Sequence, residues 1–250
     1  EQACAYGLLG QSILGTAFSF ALNVEASRLA RYPDGQDGGR GGAEPAELTH
    51  NVETLANVPW VVREGPVAYR AVGSETSPGT VLVPLGGALA RWGVAEVPCG
   101  MAVREVVEKL GGARQEDLQA VWVGGPRGRI LPASRIWADA GGEEPTEVGP
   151  GMAEVVALGH RDCVVGRTWE VARFLAAESC GRCAPCRIGT TRMRKILDRL
   201  CQGDGKASDG RDLQDIAEAL GSVAGCDHGR RGAECVLSAV EGFEEAFAAH

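Results

Sequence analysis

The chain has 250 residues, a formal charge of −8, and apolar and charged fractions of 44% and 23%, ordinary proportions for a globular protein of one to three domains. No apolar run approaches the roughly 18 residues of a membrane span, and the acidic balance argues against nonspecific nucleic-acid binding, which needs a basic surface. The start, EQACAYGLLG, has no basic n-region of a secretory signal; it also lacks Met, which reads as a processed form or a fragment.

Residues 1–70 hold apolar segments (Ile13 to Val24) interrupted by YPDGQDGGRGGAEPAEL, 32–48, too rich in Gly, Pro and charge for helix or strand and read as a long exposed loop. In the next part, 71–150, TVLVPLGG and LQAVWVGGP are strand-like runs stopped by Gly pairs. Between them MAVREVVEKLGG sets Val103, Val106, Val107 and Leu110 at i, i+3, i+4 and i+7, predicting an amphipathic helix that ends on Gly111. The order β, β, α, β predicts a ubiquitin-like grasp. After the linker DAGGEEPTEVGPG (139–151) the pattern of 151–250 turns helical. Apolar stripes run through Val171, Phe174 and Leu175, then Met193, Ile196, Leu197 and Leu200. Leu213, Ile216 and Leu220 continue the pattern, and Val236, Val240, Phe243 and Phe247 close it. Four helices with short links predict a small bundle, the stripes forming its core. The fold class is therefore α+β.

Nine cysteines, an odd number and mostly far apart in a chain too large to need disulfide staples, point to a reducing compartment with metal ligands plus scattered buried thiols. Three stand together in ESCGRCAPCRIG: Cys180, Cys183 and Cys186, a C-x2-C-x2-C run. Zinc sites usually take cysteines in pairs. Three at this pitch wrap a loop around one corner of a cubane, as in bacterial ferredoxins. Zinc, and after it a disulfide or thiol-redox site, remain as alternatives. The fourth thiolate must come from Cys201, Cys226 or Cys235. Cys201 ends the motif's own helix, about 20 Å away at 1.5 Å per residue. Cys226 stands in the Gly-flanked turn AGCDHG, and Cys235 falls within the last helix, where a buried structural thiol is the ordinary reading. Arg182 and Arg187 could offset the negative charge of such a cluster or be solvated surface residues. Cys99 and Cys163, flanked by apolar residues, are expected to be buried; Cys4 and Cys201 are also read as structural. His228 is expected to line the cluster rather than bind it, and His160 is the other histidine considered as a ligand.

ESCGRCAPCRIGT strongly resembles the E-S-C-G-x-C-x-P-C-R-x-G signature of the NADH- and FMN-binding flavoprotein subunit of respiratory complex I, with relatives in NAD-reducing hydrogenases and NAD-dependent formate dehydrogenases. HNVETLANVP (50–59) looks like that family's N-N-V-E-T segment. The stretch from Gly79 to Gly112 looks like its soluble-ligand-binding β-grasp domain, AYGLLGQSILGTAFSF like the lead into its NADH-binding loop, and GFEEAF like its closing helix. The resemblance implies Cys226, forty positions after Cys186, as the fourth ligand of a [4Fe–4S] cluster. It implies a flavin and NADH site at Glu25 and Asn51, but an eroded one. Ala26 replaces a second Glu, His50 replaces the first Asn, and GGRGGAEP (38–45) only mimics the upstream G-R-G-G-A-G-F-P loop.

Residues 1–70 are therefore expected to be a remnant of an FMN/NADH-binding domain, and the chain alone is not expected to oxidise NADH. The implied role is an electron-transfer subunit with one cluster. The implied partners are a thioredoxin-like [2Fe–2S] subunit and a larger iron–sulfur subunit, at the cytoplasmic or matrix side of a membrane-associated complex. The competing class is a structural scaffold with a zinc or empty cysteine site.

Overall fold

The computed structural model describes residues 52–138, 147–151 and 154–250, which fall in two units, Glu1–Gly79 and Thr80–His250. The expected loop at 32–48, together with Cys4, Glu25, His50 and Asn51, lies outside the described residues. Of the first unit, the described part is chiefly helix α1, Val52–Arg70. It bends at Gly65 (φ 86°, ψ 163°), where a side chain would be strained and where Pro66 follows without an amide hydrogen.

The second unit begins with a sheet. Strands β1 (Thr80–Gly87) and β2 (Gly93–Pro98) form an antiparallel pair. Helix α2 (Val103–Glu105) follows and continues as a π-helical stretch, Val106–Gly111, closed by Gly112 in the left-handed conformation. Strands β3 (Leu118–Val123) and β4 (Arg129–Pro132) form a second antiparallel pair, and a short helix, α3 (Ala133–Trp137), follows. The fifth strand, β5 (Val155–Gly159), runs parallel to β1 and antiparallel to β3, giving the order β2-β1-β5-β3-β4. Its residues lie beyond the 150/151 boundary drawn from composition.

The strand sequences explain how the sheet is covered. In β1, Val81, Val83 and Leu85 are buried while Leu82 and Pro84 are exposed, the period of two expected of a strand covered on one face. β3 is LQAVWV, nearly continuous apolar sequence, because both its faces are covered. Val121 and Val123 join a core with Val103, Val106 and Val107 of the α2 segment, whereas Ala120 and Trp122 join the helices that follow β5.

Those helices are α4 (Val164–Ala177), α5 (Ala184–Cys201), α6 (Asp209–Val223) and α7 (Asp227–Gly242), with the short α8 (Glu244–Ala249). The stripes of α4 to α6 face inward as expected, Phe174 and Ile216 only partly. The last stripe is split: Phe243 has non-helical angles (φ −141°, ψ 39°) and separates α7 from α8. Buried Ser238 of α7 accepts a hydrogen bond from Ile130 N of β4 at 3.0 Å, joining the bundle to the sheet.

Candidate metal centre

The cysteine-rich loop connects α4 to α5, and its shape follows from its residues. Gly181 takes a left-handed φ of 72°, turning the chain after Cys180. Cys183 is the N-cap of α5, extended at φ −101° and ψ 133°, and Pro185 in the first turn needs no amide partner. Cys186 therefore lies three residues into the helix and is buried, 3% exposed. Cys226 is in turn the N-cap of α7, also extended (φ −149°, ψ 168°). Two helix N-termini, where amide dipoles favour negative charge, thus begin at cysteines.

The two segments are packed against each other. A Cβ placed on Gly225 would come within 3.9 Å of Cys183 Sγ, and one on Gly229 within 3.5 Å of Cys186 Sγ. Backbone hydrogen bonds to its sulfur, from Gly225 first and then Cys186, hold the Cys183 thiol below its usual range. Burial pushes the Cys186 thiol up. A hydrogen bond with Ser179 opposes this, and the nearby charges of Cys183, Cys226 and Cys180 add to it. Ser179 Oγ lies 3.5 Å from Cys186 Sγ and accepts from Gly181 N at 3.4 Å. Arg187 donates to the carbonyl of Gly181 at 3.3 Å, bracing the loop. His228 donates through Nε2 to the Leu175 carbonyl at 2.9 Å, and that ring nitrogen is occupied by the backbone. Among the described residues, no three His, Cys, Asp or Glu side chains converge as ligands of a single ion do.

The other cysteines stand apart. Cys235 is fully buried, its thiol pushed up to about 12 by desolvation, with its sulfur 3.8 Å from the Gly125 carbonyl. Cys201 ends α5, at the far end from the loop. Cys99 is buried as expected. Cys163 is exposed, contrary to expectation, because it caps α4 and its sulfur accepts from Gly166 N at 3.2 Å. The capping roles of Cys183 and Cys226 were not anticipated; the Pro two residues after Cys183 and the Asp after Cys226 are the signals that mark them.

Residues 167–250 match the family model of the NADH-ubiquinone oxidoreductase-F iron–sulfur binding region. This part of the chain belongs to that family. The whole chain aligns with the NADP-reducing hydrogenase subunit HndC of Solidesulfovibrio fructosivorans at 30% identity, covering 100% of this chain and 56% of that one. The F subunit of the NADH-quinone oxidoreductase of Mycobacterium tuberculosis is 31% identical, covering 100% of this chain and 61% of the relative. Its Escherichia coli counterpart is 30% identical, with 99% and 61% covered. The chain thus spans between 56% and 61% of the length of these relatives. The solved structure of an NAD+-reducing [NiFe]-hydrogenase in the H2-reduced state superposes with a TM-score of 0.68 at 29% identity, covering 81% of this chain and 34% of that chain.

The chemistry of the thiol cluster agrees with the family. Thiolates are soft donors of the kind that hold iron–sulfur clusters, and the helix N-termini that begin at Cys183 and Cys226 favour negative charge there. A [4Fe–4S] cluster is the cofactor of this oxidoreductase iron–sulfur region.

Proposed function

We propose that this chain is an iron–sulfur electron-transfer subunit of an NADH-linked, multi-subunit oxidoreductase, its one [4Fe–4S] cluster ligated by Cys180, Cys183, Cys186 and Cys226. The observation that carries the assignment is the packing of the turn around Cys226 on the cysteine loop, with a Cβ on Gly225 reaching within 3.9 Å of Cys183 Sγ and one on Gly229 within 3.5 Å of Cys186 Sγ. When bound, the cluster supplies storage and transfer of single electrons. The chain's own groups hold and tune it. Amides of Gly225 and Cys186 and the Ser179 hydroxyl reach the sulfurs, and such hydrogen bonds raise a cluster's potential. Burial of Cys186 limits solvent on one side, while exposed Cys180 leaves the other side open toward a partner.

The remaining parts fit a shared origin with the flavoprotein subunits. A parallel central pair, β1 and β5, with antiparallel neighbours and a helical segment across one face, supports a β-grasp domain that extends the expected 71–150 to include β5, beside a helical domain over the rest of 151–250. Residues 1–70 are then the degenerate FMN/NADH-binding part. Among the described residues no helix is long and apolar enough to cross a membrane, compatible with a place at the cytoplasmic or matrix side of a membrane-associated complex. A thioredoxin-like [2Fe–2S] subunit and a larger iron–sulfur subunit are the partners this reading requires.

Anaerobic purification followed by iron, acid-labile sulfide and electron paramagnetic resonance measurements tests the assignment. Cys226→Ser is expected to abolish the four-iron signal and Cys201→Ser to retain it; the reverse pattern overturns the ligand set. Flavin released on denaturation, with NADH reducing the cluster unaided, would instead make the chain part of an active NADH:acceptor flavoprotein.

A further inference from the structure

The second cysteine cluster lies at the other end of the α4–α5 hairpin. Cys163, at the start of α4, and Cys201, at the end of α5, line the same surface cavity of about 390 Å³, together with Gly166, Arg167 and Trp169. Both cysteines are exposed. The Cys163 sulfur accepts from Gly166 N at 3.2 Å and lies 3.2 Å from His250 Nε2. We infer that Cys163 and Cys201 are a peroxide-oxidised thiol pair, Cys163 being the attacking thiol, His250 its proton acceptor and Cys201 the resolving thiol.

Three observations assign these roles. Cys163 alone has a helix-terminal amide directed at its sulfur, an arrangement that favours a nucleophilic thiol. It alone has an imidazole in reach, which takes the thiol proton in the tautomer with Nε2 unprotonated. Burial raises the Cys201 thiol above its usual range despite the exposure of the residue, and the charges of Cys163 and Asp198 add to this. Cys201 therefore acts second.

The steps balance with hydrogen peroxide as the two-electron oxidant. The Cys163 sulfur attacks one peroxide oxygen, the O–O bond breaks, and the leaving hydroxide departs as water after taking up a proton. The Cys163 sulfenic acid is then attacked by the Cys201 sulfur, the S–S bond forms, the S–O bond breaks, and a second water leaves. Two thiols lose two electrons and one peroxide gains them. The product ties together the free ends of the helix pair whose opposite end carries the iron–sulfur loop.

The test uses the purified, cluster-loaded chain treated with stoichiometric hydrogen peroxide, alkylated, digested and analysed by mass spectrometry. Peptide assignment separates this pair from any cluster ligands that oxidation releases. A Cys163–Cys201 cross-linked peptide, reversed by dithiothreitol, is expected. Cys201→Ser should leave a sulfenic acid on Cys163 that dimedone traps, and Cys163→Ser should leave none on Cys201. Serine retains a capping oxygen at the start of α4, so the second variant keeps its fold. His250→Gln should slow loss of the Cys163 thiol at least tenfold. Equal alkylation of Cys163 and Cys201 before and after peroxide would overturn the inference, as would dimedone labelling confined to Cys201 or an unchanged rate in His250→Gln.

Discussion

Gly229 shows how closely the two ligand-bearing segments depend on single atoms. A Cβ there would stand 2.6 Å from the Cβ of Ala224 and 3.5 Å from Cys186 Sγ. A Cβ moves only with its backbone, so neither α7 nor the turn before it can adjust locally. Gly229→Ala is expected to destabilise the fold by about 1–3 kcal/mol, the usual cost of overpacking, and to lower iron per chain. Thermal melting and iron analysis check this; an unchanged melting temperature with full iron would contradict it. Gly225→Ala is the control. Its Cβ would meet Cys183 at an ordinary 3.8 Å, and its amide would remain. Its expected effect on stability is within about 0.5 kcal/mol.

Among the elements, α5 and α6 are joined by a buried charge. Asp209, the first residue of α6, is fully buried and accepts from Arg199 Nε at 3.1 Å and from Lys206 N at 2.9 Å, with Arg199 Nη2 on its other oxygen. Burial alone would raise its carboxyl. The Arg199 and Lys206 hydrogen bonds and charges outweigh burial and hold it below its usual value. The depressed folded-state value means the pair stabilises above the unfolded carboxyl's value and is lost as pH falls through the folded one. Asp209→Asn should therefore cost about 2 kcal/mol at pH 7, a charge-assisted bond being lost to a half-open arginine. The gap to the wild type should close from about pH 4 downward. Denaturant titrations at several pH values check the sign; a gap that widens on acidification would refute it.

Much of this level was legible in the sequence, and the reasons differ by element. The stripes of α4 to α6 followed from a period of 3.6 over about one to two turns each. The β1 and β3 runs were equally plain. β2, GVAEVP, was anticipated only as the second strand of the order β, β, α, β, without residues assigned to it, because a six-residue edge strand carries little apolar signal; β5 was not anticipated, because VVALG directly precedes a helical pattern. The break at Phe243 directly follows Gly242, a stop signal that the apolar stripe running on through Phe243 and Phe247 masked. At the candidate centre, pitch supplied three cysteines, while selecting Cys226 required likeness to a family. The nearness of Cys163, Cys201 and His250 depends on how the helices pair, which periodicity does not encode.

For the molecule as a whole, composition draws a boundary near 150, yet within Thr80–His250 the core runs across it. Ala120, Trp122 and Ile130 of the sheet are packed with Val165, Leu175, Val236 and Val240 of the helices. A fragment of residues 160–250 would expose that apolar face and leave Ser238 without its amide donor. It is expected to lose the cooperative thermal transition that residues 80–250 retain, as followed by circular dichroism. A sharp transition in the short fragment would show that the helices fold independently.

The position of β5 also orders events in time. It is the last strand to be synthesised, yet it occupies the middle of the sheet. Until the ribosome has released Gly159, the β1–β2 and β3–β4 hairpins can each form from local contacts, with an unpaired inner edge on both. Only insertion of β5 between them completes the surface on which α4 and α7 settle. Cys180, Cys183 and Cys186 emerge soon afterwards, but Cys226 is still forty residues from being made. Nascent protein thus passes through an interval with three thiols of the centre present and the fourth not yet translated, a period when scavenging of stray metal would be easiest and complete assembly impossible.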